Sequence, residues 1–169
     1  GVQTCALPIF AFNDIPQGYK HLQIRILQRA TAATSWPSPY LQINADASAN
    51  YTVHQLYGSG SAAGASALTS QTGAYYPLMP AANQNANVFG AAIIDILDYA
   101  NTNKYKTIRS LGGADNNGTG QIEFDSNVWL SSVAINSLSF YPSNGTNFAQ
   151  YSRFSLYGIK DRKSTRLNS

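Results

Sequence analysis

The chain has 169 residues, of which only 11% are charged, with 11 Lys and Arg against 8 Asp and Glu. A formal charge of +3, with most basic residues scattered rather than clustered, offers little electrostatic footprint for nucleic acid or for an acidic membrane. One cysteine excludes an internal disulfide framework and a cysteine zinc site.

The first segment, Gly1 to Ile9, can be written GGA GTT CAG ACG TGT GCT CTT CCG ATC. The reverse complement, GAT CGG AAG AGC ACA CGT CTG AAC TCC, translates without mismatch as Asp161 to Ser169. No folding or binding constraint acts on antisense codons, so these words are not a protein-level repeat. Both ends resemble translated sequencing-adapter sequence and are set aside from fold reasoning. The expected natural segment is 10–160, a single domain whose own start is expected to be missing. Without Asp161, Arg162, Lys163 and Arg166, eight Lys or Arg stand against seven Asp or Glu, and Cys5 drops out as well. The apolar stretch Ala6 to Phe12 is short and broken by Pro8, which fits neither a signal peptide nor a membrane span.

From Lys20 to Arg29, Leu22, Ile24 and Ile26 alternate with Gln23 and Arg25, which predicts a strand with one wet face. Leu41 and Ile43 alternate with Gln42 and Asn44 in a second. In a third, Tyr51, Val53, Gln55 and Tyr57 share a face opposite Thr52, His54 and Leu56; both faces are mixed, so the inward one stays open. Residues 58–84 lose the period and turn rich in Ser, Ala, Gly and Thr, predicting a long loop anchored by Tyr75, Tyr76 and Pro77. Residues 88–99 set Ala92, Ile94 and Ile96 against Ile93, Asp95 and Leu97. This nearly continuous apolar run predicts a strand covered on both faces, with a helix as the alternative on length. Further strands are expected at 104–111, at 121–124 with Ile122 and Phe124 inward, at 133–141, and at 148–159 after a turn at Pro142 to Gly145. About eight strands separated by turn residues predict an all-β, single-domain antiparallel β-sandwich, jelly-roll-like in topology.

Chemistry-bearing residues are few. His21 and His54 lie in expected strands without metal-ligand partners at a recognisable spacing, which favours a structural or surface role. Gly58-Ser59-Gly60-Ser61 reads as loop chemistry, since no G-x-S-x-G nucleophile turn occurs. Asp95 and Asp98, three apart in a strand, point to opposite faces and make a poor glycosidase pair; Asp98 fits a turn with Asn101 and Thr102. Asp115 to Gly120 is oxygen-rich but lacks the EF-hand spacing, and Asn117-Gly118 predicts a hairpin turn. No catalytic, cofactor or metal residue is expected. The aromatics fill β cores and interfaces, and Trp36, Tyr75, Tyr76 and Trp129 are the candidates for contact with a glycan or a partner.

Four words carry a resemblance: Ile15-Pro16-Gln17-Gly18-Tyr19-Lys20-His21-Leu22-Gln23-Ile24-Arg25; Asn44-Ala45-Asp46 with Asn50-Tyr51; Ile96 to Thr107; and Leu156-Tyr157-Gly158-Ile159-Lys160. Together they resemble a family of small virion structural proteins of tailed bacteriophages, over nearly all of residues 10–160. The resemblance implies a non-enzymatic virion component, tail- or fibre-associated, with other virion proteins and a second copy of itself as partners and a host-surface glycan as a further one. It implies no cofactor, no nucleic acid and no membrane insertion. It also implies another strand before Ile15 and a natural end near Lys160, and a lost strand would leave an unpaired sheet edge. A carbohydrate-binding β-sandwich of a secreted protein is the alternative, and it requires an exposed aromatic platform. A glycan hydrolase or lyase comes third and requires two carboxylates facing one groove.

Overall fold

Alternating side chains and punctuating turn residues cut the chain into short extended segments. In the computed structural model, which describes residues 7–34, 36–143 and 146–160, these segments pair into two antiparallel sheets. The strands are β1 (Phe10–Phe12), β2 (His21–Gln28), β3 (Tyr40–Ile43), β4 (Tyr51–Gly58), β5 (Ala63–Gln71), β6 (Ala74–Tyr75), β7 (Gly90–Ile96), β8 (Lys106–Asp115), β9 (Gly120–Trp129), β10 (Leu138–Tyr141) and β11 (Arg153–Ile159). One sheet runs β1-β10-β3-β6 and the other β11-β2-β7-β8-β9-β4-β5. They form the all-β sandwich that the period-two pattern predicts. Most of both terminal words, residues 1–6 and 161–169, and the Asn144-Gly145 part of the expected turn lie outside the described residues.

The core is made by the alternation itself. Leu22, Ile24 and Ile26 of β2 and Ala92, Ile94 and Ile96 of β7 face inward against Leu41, Ile43, Leu138 and Phe140 of the smaller sheet. Aromatic rings close one side: Phe154 lies 4.6 Å from Phe10, 5.1 Å from Phe140 and 4.9 Å from Phe148, centroid to centroid.

Four expectations are corrected. Residues 58–84 are not one loop: Gly60 takes a φ of 86°, Ser59 N–H bonds Ala62 O at 2.9 Å, and the chain returns as β5 along the edge of the larger sheet. Its Ala, Gly and Ser residues carry no hydrophobic period because an edge strand with small side chains buries little on either face. Ile122 and Phe124 point outward, with Glu123 and Asp125 inward in their place. The 88–99 segment contains the strand β7, but among the described residues only its inner face is covered, and Ile93 and Leu97 are exposed. The expected strands at 133–141 and 148–159 shrink to β10 and β11.

The four words of the resemblance meet at one end of the sandwich. Asn44 and Ala45, with φ of 52° and 57°, make a primed turn closed by Asp46 N–H to Ile43 O at 2.9 Å. Asn44 Oδ1 accepts from the N–H groups of Asn136 and Ser137, and Asp46 accepts from the Trp129 indole at 2.8 Å and from Asn50 at 3.1 Å. Burial works against the charge of Asp46, but the bonds from Trp129, Ser48 and Asn50 outweigh it and hold the carboxyl at about 2. Lys106 is buried, and its ammonium donates to the carbonyls of Asn101 (2.6 Å), Lys104 (3.1 Å) and Ser132 (3.0 Å), using its three protons. Asp98 meets Lys104 and, at 2.8 Å, Lys20, and hydrogen bonds from these ammonium groups hold its carboxyl at about 2. The Asp98 N–H donates to His21 Nδ1 at 3.0 Å, the structural role expected of that histidine. Across the first and last words, a Cβ on Gly158 would meet the Tyr19 ring at 2.3 Å, so only glycine fits there.

Candidate interaction surface

Seven strands in register set one side chain of each strand beside the next, so a row can be read straight across the outer face of the larger sheet. One row runs Arg25, Ile93, Leu111, Phe124, Leu56, Ala65 from β2 to β5. Its four central members are exposed by 44%, 51%, 44% and 58% respectively, and their neighbours Leu27 and Ile122 by 44% and 62%. Isolated exposed apolar residues are ordinary on a protein surface, but a contiguous row over four strands marks an interaction face. A shallow cavity of about 310 Å³ lies within it, lined by Leu56, Ala63, Leu111, Ile122 and Phe124 among others. The next row is polar: Gln23, Asp95, Arg109, Ser126, His54. Asp95 is tied to Gln23 Nε2 at 3.0 Å.

The inward side of the same strands explains why the apolar residues face out. After β6 the chain crosses the inner face, and inward polar side chains take up its backbone groups. Asn127 accepts from Tyr75 N–H and donates to Tyr75 O, both at 2.9 Å, as a neighbouring strand would. Glu123 Oε2 accepts from Leu78 N–H at 3.1 Å and Gln28 donates to Pro77 O at 3.1 Å. A crossing backbone without such partners would bury unpaired amides. Asp125 lies beside Glu123 and accepts from Ser110 Oγ at 2.9 Å. Burial pushes the Asp125 carboxyl up to about 7; the Ser110 bond opposes this and the nearby Glu123 charge adds to it. Burial also raises Glu123, against bonds from Leu78, Gln121 and Gln55. The two carboxyls share a face, as a glycan hydrolase would need, but both are buried.

No family model, curated protein or solved structure matches the chain.

The four aromatic candidates separate. Trp129 and Tyr76 are buried, the first bonded to Asp46 and the second packed edge-on to Phe140 at 5.8 Å, so neither can offer a face to a glycan or a partner. Trp36 is half-buried with a φ of 45°. Tyr75 is half-buried and joins two tyrosines that sequence reasoning missed. Cross-strand register sets Tyr141, Tyr40 and Tyr75 in one row on the outer face of the smaller sheet. The Tyr141 and Tyr40 rings stack 5.2 Å apart at 8°. Burial, then the adjoining Tyr141 and Tyr75, raise the Tyr40 hydroxyl above its usual range. The outer apolar row was missed too, although apolar residues on both faces of 88–99 and the mixed faces of 51–57 were its visible signal.

Proposed function

We propose that the protein is a structural component of a phage virion, tail- or fibre-associated, acting through contacts between subunits, with host-surface binding as a further role. The observation that carries this reading is the contiguous apolar row Ile93, Leu111, Phe124, Leu56 on the outer face of the larger sheet. Such a row lowers the solubility of a lone domain and is stabilised when another subunit covers it. The four words that resemble the phage family support the reading from a separate direction, since each is fixed by bonds to distant segments, as Lys20 is to Asp98 and to Ile159 O, and Asp46 to Trp129. Proteomics of gradient-purified particles from the source material tests it: peptides of residues 10–160 should co-sediment with capsid and tail proteins. Their restriction to the soluble fraction would sink the proposal.

A second reading, a carbohydrate-binding module, is favoured by the tyrosine row on the opposite outer face. It expects the isolated domain to bind glycans and expects Tyr40→Ala to abolish that binding. A glycan array, followed by titration calorimetry, tests it, and the particle proteomics separates it from the virion reading.

A further inference from the structure

We propose that the outer face of the seven-stranded sheet binds a second copy of this chain. The copies would pack face to face about a two-fold axis that runs parallel to the strands between β8 and β9. The inference rests on the assembly reading above and names its partner. Three features of the face argue for a copy of itself as the occupant.

The first is size. Seven strands at about 4.8 Å make a face roughly 30 Å across. With the apolar row and the row on either side it offers on the order of 600 Å² per copy, or roughly 1,200 Å² for a pair, the lower bound of a specific interface. The second is self-complementarity, which a two-fold contact requires. The axis lays β8 on the partner's β9 and β7 on the partner's β4, so Leu111 meets the partner's Phe124 and Ile93 meets the partner's Leu56. Apolar side chains then cover apolar side chains at both symmetry-related positions. The third is charge. In the neighbouring row the same operation sets Asp95 opposite the partner's His54 and Arg109 opposite the partner's Ser126, with no like charges apposed. An axis across the strands through that row would instead place Arg109 on Arg109 and Asp95 on Asp95. Another through the apolar row would lay Arg109 over the Gly113 row. Like-charge repulsion therefore excludes the axis through the polar row, and the pairing of Asp95 with the partner's His54 favours the strand-parallel axis over the one through the apolar row.

The test is the mass of the full chain by sedimentation velocity and light scattering across a micromolar dilution series. The expected result is a dimer whose dissociation constant rises at least about tenfold in Leu111→Gln and in Phe124→Gln, as truncation of central interface residues does. Both positions face solvent in the single chain, so the thermal midpoint of the monomer should hold. Asp95→His should weaken the dimer, and the swap Asp95→His with His54→Asp should recover it, an effect that altered folding cannot mimic. A wild-type monomer throughout the series, or a dimer indifferent to all of these variants, overturns the inference. A monomer that still co-purifies with particles overturns self-pairing and leaves the assembly reading standing. A dimer absent from particles does the reverse.

Discussion

The inner face of the larger sheet has two halves built on different physics. Around β2 and β7 it is aliphatic, and Leu22, Ile24, Ile26, Ile94 and Ile96 are covered by side chains of the smaller sheet. Around β8 and β9 it carries Ser110, Glu123, Asp125 and Asn127, and what covers it is backbone, the crossing segment after β6. The aliphatic half is stabilised by area removed from water, is non-directional and tolerates conservative exchange. The polar half is stabilised only while each donor and acceptor keeps its partner, so it is brittle to substitution and sensitive to pH.

Four substitutions break or sharpen that contrast. Phe140→Ala, on the smaller sheet where it covers the aliphatic half, should cost about 3–5 kcal/mol in denaturant unfolding through lost packing and the cavity left behind. Asn127→Leu, close in volume but apolar, should cost roughly 2–4 kcal/mol by leaving both backbone groups of Tyr75 unpaired. Hydrogen exchange should show it, with protection lost first at the Tyr75 amide; unchanged protection there would mean that the crossing segment is held by other contacts.

Third comes pH. The Asp125 carboxyl stands at about 7 in the folded chain against an ordinary 3.8, so the folded state binds more protons than the unfolded one between those values. Its contribution is therefore fully favourable below 3.8 and is lost as pH rises to about 7, with a limiting slope of about 1.4 kcal/mol per pH unit. Asp125→Asn should remove that slope. Asp46 and Asp98 act in the opposite sense: held at about 2, they contribute stability above 3.8 that is lost as pH falls toward 2. Thermal midpoints from pH 2 to 8 should therefore pass through a maximum near the ordinary carboxylate range, and Asp125→Asn should flatten only the alkaline side. The smallest effect is expected at Ala45, whose φ of 57° favours glycine: Ala45→Gly should stabilise by about 0.5–1 kcal/mol.

Much of the sandwich was legible in the sequence because one-sided burial leaves a period of two. Residues 20–29 and the Ala92, Ile94, Ile96 series face as their alternation predicts, and Asn117-Gly118 turns with φ of 58° and 89° as that dipeptide favours. The polar half broke the rule. In Gln121 to Phe124 alternation was visible, but its polarity was reversed, because the inward Glu123, like Asn127 further along the strand, serves a backbone rather than an oil-like core. Strand β5 left no trace, since alanine and serine on an edge carry no burial signal. The candidate aromatics divided for a related reason: residue type says that a ring wants burial or contact, and only the fold says which.

By itself the sequence determined the class of structure, most strand positions and the Asn117-Gly118 turn, because these depend on local backbone preference and on nearest-neighbour alternation. Tertiary structure alone decided which face of β9 looks inward, that Lys20 meets Asp98 and Asp46 meets Trp129, and that four apolar side chains line up across β7, β8, β9 and β4. Each of these depends on register between strands far apart in the chain. Register is a property of pairs, and no single segment contains it.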